Sequence, residues 1–76
     1  MQKRSISIAG HRTSIAIEPE FWVGLEAMAS ARGMPMAALI RDIDETRDVP
    51  NLSSALRLAV LAWYRDRPSH GDPPPP

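Results

Sequence analysis

The side chains that could carry out catalysis or hold a metal ion do not form a set in this sequence. The chain has no cysteine, which excludes thiolate metal sites and cysteine nucleophiles. Its two histidines do not lie at helical spacing, so no metal site is predicted. Ser53 and Ser54 have neither a nearby histidine nor a glycine elbow, so neither is a candidate nucleophile. We expect no enzyme activity, no catalytic residue and no cofactor.

The charged residues are distributed unevenly along the chain. Nine Lys and Arg balance nine Asp and Glu, and a net charge of zero gives by itself no support for a nucleic-acid partner. Residues 1–17 nevertheless contain Lys3, Arg4 and Arg12 and no acid. The acids concentrate in one later segment, as Asp42, Asp44, Glu45 and Asp48 against Arg47 alone. That segment lacks the glycine and the ligand spacing of a calcium loop, so we expect a solvated helix face there.

The length of 76 residues allows one domain with a small core. Such a chain buries about 60% of its unfolded surface, so a lone monomer is expected to be marginally stable. Without disulfides, oligomerisation is the expected stabiliser. Charges interrupt every apolar stretch well short of the roughly 18 residues that span a bilayer, and residues 5–8 are too short for a signal peptide. We expect a cytoplasmic protein with no membrane contact.

A short strand is predicted at about residues 12–17. Thr13, Ile15 and Ile17 alternate with smaller or polar residues, which places these three on one face and residues 12, 14 and 16 on the other. Residues 5–8 show the same period of two. They are compatible with a hairpin through residues 9–11 or with an extended arm, and both alternatives stay open.

The first helix is predicted at about residues 19–32. Pro19 suits the first helical position, where its missing N–H costs nothing. Apolar residues then recur at the spacing of one helix face, at Phe21, Trp22, Leu25, Met28 and Ala29. Gly33 is expected to end the helix in the left-handed conformation.

Two further helices follow, at about residues 35–47 and 51–66. Pro35 can begin the second helix and Pro50 ends it, after which Asn51 is expected to cap the third. Residues 68–76 finish in four prolines and are expected to form a disordered tail. The predicted domain therefore covers residues 1–67.

This order of elements resembles the ribbon-helix-helix superfamily over residues 12 to about 46. More narrowly, the chain resembles a bacterial family of small, largely uncharacterised ribbon-helix-helix domains. The segments that carry this resemblance are residues 3–14 (KRSISIAGHRTS), 18–22 (EPEFW) and 51–57 (NLSSALR).

The resemblance implies a mainly α fold with a short β-ribbon, formed as an intertwined homodimer in which one strand per subunit pairs with its symmetry mate. The third helix would be an additional C-terminal element, or else the superfamily's second helix with residues 35–48 as an insertion. We favour the additional element because the Gly33 turn follows the strand at the spacing along the chain that the superfamily leads us to expect. The implied dimer core consists of Ile15, Ile17, Trp22, Leu25, Leu39, Ile40 and Ile43.

The resemblance also implies a transcriptional regulator or antitoxin-like repressor whose ribbon enters the major groove of double-stranded DNA. The base-reading positions would be Arg12, Ser14 and Ala16. The positions assigned to phosphate or arm contacts are Lys3, Arg4, His11, Met36 and Ala37. Pro35 departs from the Ser or Thr that is common at the start of the second helix. No small-molecule substrate is implied.

The alternative is a protein-interaction or adaptor dimer that keeps the fold without binding DNA. The zero net charge, Ala16 at a reading position, Pro35 and the acidic segment all favour this alternative. Pairing of residues 5–8 with residues 12–17 would strongly favour it, because a symmetric dimer would then have a four-stranded ribbon that is too wide for one groove.

Overall fold

The structure, a computed structural model, describes residues 1–66 and contains two strands followed by three helices. The elements are β1 (Gln2–Ile8), β2 (His11–Ile17), α1 (Pro19–Arg32), α2 (Met36–Thr46) and α3 (Leu52–Asp66). The predicted mainly α fold with a short β-ribbon is confirmed, and each strand or helix end predicted above lies within one residue of the observed one. The intertwined homodimer stays a prediction. The tail predicted at residues 68–76 lies outside the described residues.

The two strands form an antiparallel hairpin within one chain. Gln2 pairs with Ile17 at the open end, and Ile8 pairs with His11 beside the turn. Ala9 and Gly10 form the turn with φ angles of +51° and +83°, as in the type I′ turns whose twist matches that of a hairpin. The hairpin is therefore the correct alternative for residues 5–8. Within one chain β2 pairs with β1, and the pairing of β2 with its symmetry mate stays a prediction.

The hydrophobic core lies between the inner face of this hairpin and the three helices. On that face Ile15 and Ile17 are 2% and 0% exposed. All seven residues assigned to a dimer core are buried within the single chain, so their burial requires no second subunit. α2 packs against β1, while α3 packs against β2 and contributes Ala55, Leu56 and Val60 to the core.

The helix ends match their sequence signals. Gly33 adopts φ +64° and ψ +37°, its N–H donates to the Ser30 carbonyl at 3.1 Å, and the Met34 N–H donates to the Ala29 carbonyl at 3.0 Å. These two bonds satisfy the last carbonyls of α1. At the start of α3, the Asn51 side-chain oxygen accepts a hydrogen bond from the Ser54 N–H at 3.1 Å, which confirms the predicted cap.

A glycine inside α1 allows close contact with α3. Gly24 is buried, and a Cβ atom built there would lie 2.5 Å from Val60 Cγ1. The two helices therefore approach more closely than any side chain at this position would permit.

Candidate nucleic-acid interface

The outer face of the hairpin is formed by alternate residues of both strands. The cross-strand pairs on it are Lys3 with Ala16, Ser5 with Ser14, and Ser7 with Arg12. Because side chains alternate between the two faces of a strand, these six point away from the helices. Five of them are exposed and the alanine is half-buried, which is consistent with this placement.

The outer face has a simple chemical pattern. Two serine hydroxyls lie at its centre, and Lys3 and Arg12 lie at diagonally opposite ends. No residue from 1 to 17 is acidic. Within residues 1–66, the polar side chains of this face make no hydrogen bond or ion pair with the rest of the chain. The face therefore presents positive charge and donor groups without contributing to the core.

Arg4 lies on the opposite, inner face of the hairpin. Its guanidinium carbon is 4.7 Å from the centroid of the Trp22 ring, and its Nη1 donates to Glu26 Oε1 at 3.0 Å. The Trp22 indole N–H in turn donates to the Gln2 carbonyl at 2.8 Å. These contacts attach β1 to α1, and the structure does not bring Arg4 to the face that carries Arg12.

The other residues assigned to phosphate or arm contacts lie apart from the outer face. His11 is exposed beside the turn, and its side chain lies on the same, inner side of β2 as those of Ile15 and Ile17. Met36 and Ala37 begin α2 after an extended Pro35 with φ −70° and ψ 157°. Their N–H groups precede the first hydrogen bond of the helix, which the Leu39 N–H donates to the Pro35 carbonyl at 3.1 Å. This end of α2 offers backbone donors and no side-chain cap.

The acidic segment is largely neutralised by nearby arginines. The ion pairs are Arg32 with Asp42 at 3.6 Å, Arg41 with Glu45 at 2.9 Å, and Arg47 with Asp44 at 2.8 Å. The first pair joins the end of α1 to α2, and the other two are local pairs at the surface and end of α2. The ribbon is basic although the net charge is zero, because every acid lies outside residues 1–17.

A further ion pair joins the end of the hairpin to α3. Arg57 Nε donates to Glu18 Oε1 at 2.8 Å, and its Nη2 lies 3.4 Å from Oε2. The hydrogen bond from Arg57 lowers the pKa of the Glu18 carboxyl below its ordinary value of 4.5. The contact holds α3 against the junction between β2 and α1.

The sequence pattern alone does not identify Ser5 and Ser7 as members of the outer face that carries Arg12. The alternation of the segment QKRSISI does place both serines on the same face of β1 as Lys3. Their relation to Arg12 and Ser14 depends on the pairing of the two strands, which an alternating pattern alone does not specify.

A ribbon followed by packed helices defines this chain as a ribbon-helix-helix protein. A family model described as ribbon-helix-helix domain matches residues 1–64, and the chain belongs to this family. Ribbon-helix-helix domains are in general non-enzymatic DNA-binding regulators and typically form dimers. A search of curated proteins and a search of solved structures found no match.

The described residues contain neither a candidate membrane-spanning helix nor a candidate metal-binding cluster. Within residues 1–66, no helix is long and apolar enough to cross a membrane. The same part of the chain has no group of three or more His, Cys, Asp or Glu side chains placed to hold a metal ion.

Proposed function

We propose that this protein is a DNA-binding transcriptional regulator or antitoxin-like repressor that places its β1–β2 ribbon in the major groove. The observation that carries the proposal is the outer face of the ribbon, which has two cations, three hydroxyls and no acid. A two-stranded ribbon has the width that the major groove of B-DNA admits. The family as a whole supports the same function.

In this proposal the side chains of β2 read base edges. The Arg12 guanidinium donates two hydrogen bonds to guanine, the Ser14 hydroxyl donates or accepts one, and the Ala16 methyl contacts thymine. Lys3 pairs with a phosphate. The N–H groups of Met36 and Ala37 are the backbone donors for a flanking phosphate. The proposal does not use Arg4, whose charge is paired with Glu26.

The test is an anisotropy titration with duplexes from the region upstream of the protein's own gene, at two salt concentrations. Arg12→Ala is compared with Arg41→Ala, which removes the same charge from the exposed surface of α2. We expect Arg12→Ala to weaken binding about 5- to 150-fold and Arg41→Ala to bind nearly normally. The logarithm of affinity should fall with that of salt by about 0.9 per neutralised phosphate. Full affinity of Arg12→Ala at low salt would contradict the proposal.

The hairpin also favours a second candidate, an adaptor dimer that binds a protein partner. Each strand of the two-stranded sheet has one edge without a strand partner within residues 1–66. If two chains pair along such an edge, the joint ribbon has four strands and is too wide for one groove. Sedimentation equilibrium of the full chain beside the DNA titration separates the candidates. A stable dimer with no salt-dependent DNA binding would favour the adaptor.

A further inference from the structure

We infer that the outer stripe of α3 binds a second copy of this chain, with the two α3 helices packed antiparallel. The outer stripe consists of four residues that recur at the spacing of one helix face, Leu58, Leu61, Ala62 and Arg65. None of them belongs to the ribbon, so the contact does not use the proposed DNA-binding face. It is also separate from the strand pairing that the resemblance implies for the dimer.

The first support is that α3 is apolar on two opposite sides. The side chains of Leu58 and Leu61 are 54% and 57% exposed. On the other side of the same helix, Leu56 is fully buried and Val60 is 4% exposed. A helix that is apolar on both sides is expected to be buried on both sides. One chain buries only the side that faces the core, so the outer stripe is left for a partner.

The second support is a groove that adjoins the outer stripe. The groove lies between α3 and the C-terminal halves of α1 and α2 and encloses about 610 Å³. Met28, Ile43 and Trp63 supply apolar surface inside it. Leu58 and Ala62 line the groove and also belong to the outer stripe. Because cavities of this size accept several side chains, the groove can receive a leucine from a partner helix.

The third support is that projection and recess belong to one patch, which favours a second copy as the partner. Identical copies related by a two-fold axis use the same patch twice, so the patch must be complementary to itself. An antiparallel pair of α3 helices centred between residues 61 and 62 meets this condition. It sets the large Leu61 of each copy against the small Ala62 of the other, and it brings Leu58 of each copy to the groove edge of the other.

The charges at the two ends of α3 agree with the antiparallel direction. Asp48 lines the groove just before α3 begins, and within residues 1–66 its carboxylate makes no hydrogen bond or ion pair. Arg65 lies near the other end of α3, where its side chain is 75% exposed and pairs with the adjacent Asp66 at 3.1 Å. An antiparallel pair brings Arg65 of each copy towards Asp48 of the other. A parallel pair would instead bring like charges together at both ends.

The experiment is sedimentation equilibrium of the full chain over a wide range of concentration. Leu58→Glu and Leu61→Glu each place a carboxylate in the apolar contact, and Ser30→Glu adds the same charge at an exposed position of α1 as the matched control. We expect each leucine variant to weaken self-association about 30-fold or more. Its mass should fall to that of a monomer, or to that of a dimer if the strands also pair, while Ser30→Glu keeps the mass of the unmodified chain.

A chain that is monomeric throughout, or a mass that neither leucine variant lowers, would overturn the inference. If the leucine variants do not fold, disulfide formation decides instead, because the chain has no cysteine of its own. Leu61→Cys and Ala62→Cys place single thiols on either side of the two-fold axis and should give covalent pairs on mild oxidation. Crosslinking no greater than that of Ser30→Cys would overturn the inference.

A charge exchange tests the antiparallel direction. Asp48→Arg and Arg65→Asp should each weaken self-association about 5-fold or more, because each places like charges at both ends of the contact. The chain that carries both substitutions restores opposite charges and should associate as the unmodified chain does. If the double variant associates no better than the single ones, the antiparallel arrangement is overturned.

Discussion

The ribbon places two arginines of one short segment in opposite environments. The Arg4 guanidinium lies 4.7 Å from the Trp22 ring centroid and bonds to Glu26. The Arg12 guanidinium makes no such contact within residues 1–66. The difference follows from the period of two, since even-numbered residues of β1 and odd-numbered residues of β2 face the helices. The same residue type therefore stabilises the fold on one face and is available for binding on the other.

This comparison extends to the whole ribbon. The inner face carries isoleucines that complete the core, whereas the outer face carries small polar side chains and two cations. Stability and the proposed binding thus belong to separate faces of the same two strands. Substitutions on the inner face should change the free energy of unfolding, and substitutions on the outer face should change affinity alone.

The largest difference between the faces is expected for Ile17. This side chain is fully buried, so Ile17→Ala should lower the free energy of unfolding by about 2–5 kcal/mol. Ser14→Ala on the outer face should change it by less than about 0.5 kcal/mol. Urea unfolding followed by tryptophan fluorescence measures both. If Ile17→Ala does not fold, Ile17→Val should show a loss of about 0.5–1.5 kcal/mol. Equal changes in the free energy of unfolding for Ile17→Ala and Ser14→Ala would contradict the division of the ribbon into a stabilising inner face and an outer face that does not contribute to stability.

The packing beneath the inner face is tested at Gly24. Alanine there has a helix preference about 1 kcal/mol better than glycine, but its Cβ would lie 2.5 Å from Val60 Cγ1. Because overpacking costs about 1–3 kcal/mol, we expect Gly24→Ala to lower the free energy of unfolding. In a chain that also carries Val60→Ala, Gly24→Ala should raise the free energy of unfolding. Chemical denaturation of the unmodified chain, the two single variants and the double variant gives the coupling energy between the two positions. Additive effects would show that the two positions are not in contact.

The two arginines provide the closest matched pair. Arg4→Met should lower the free energy of unfolding by about 1 kcal/mol, because it removes the contact with the Trp22 ring and the ion pair with Glu26. Arg12→Met changes the same charge and should leave unfolding unaltered within about 0.5 kcal/mol. Thermal and urea unfolding at one salt concentration measure both. A loss on Arg12→Met equal to that on Arg4→Met would contradict the assignment of faces.

The smallest effect is expected at the junction between the ribbon and α3. Folding lowers the pKa of Glu18 through its hydrogen bond with Arg57, so the contact stabilises the protein above pH 4.5. The stabilisation is lost as the pH falls from 4.5 through the lower pKa of the folded state. Glu18→Gln should therefore have a lower Tm than the unmodified chain at neutral pH, and the difference should shrink in acid. A difference in Tm that is independent of pH would contradict this origin.

Much of the fold could be predicted from local signals. Pro19, Gly33, Pro50 and Asn51 each act within one turn of the chain, so the helix ends followed from residue type. The inner positions Ile15 and Ile17 followed from the period of two. The pattern does not decide the pairing of β1, because residues 5–8 alternate in the same way in a hairpin and in an arm. For the same reason it does not place Ser5 and Ser7 beside Arg12, and it does not show that Arg4 contacts Trp22 and Glu26.

The sequence by itself determined the elements, their ends and the two faces of each strand, because propensity, capping and periodicity depend on neighbours within a few residues. The tertiary structure alone decided which strand lies beside β2 and which arginine is paired. Strand pairing and ion pairs join residues far apart in the chain, such as Arg4 with Glu26 and Glu18 with Arg57. The pairing of β1 with β2 is likewise a contact between residues far apart in the chain, such as Gln2 with Ile17.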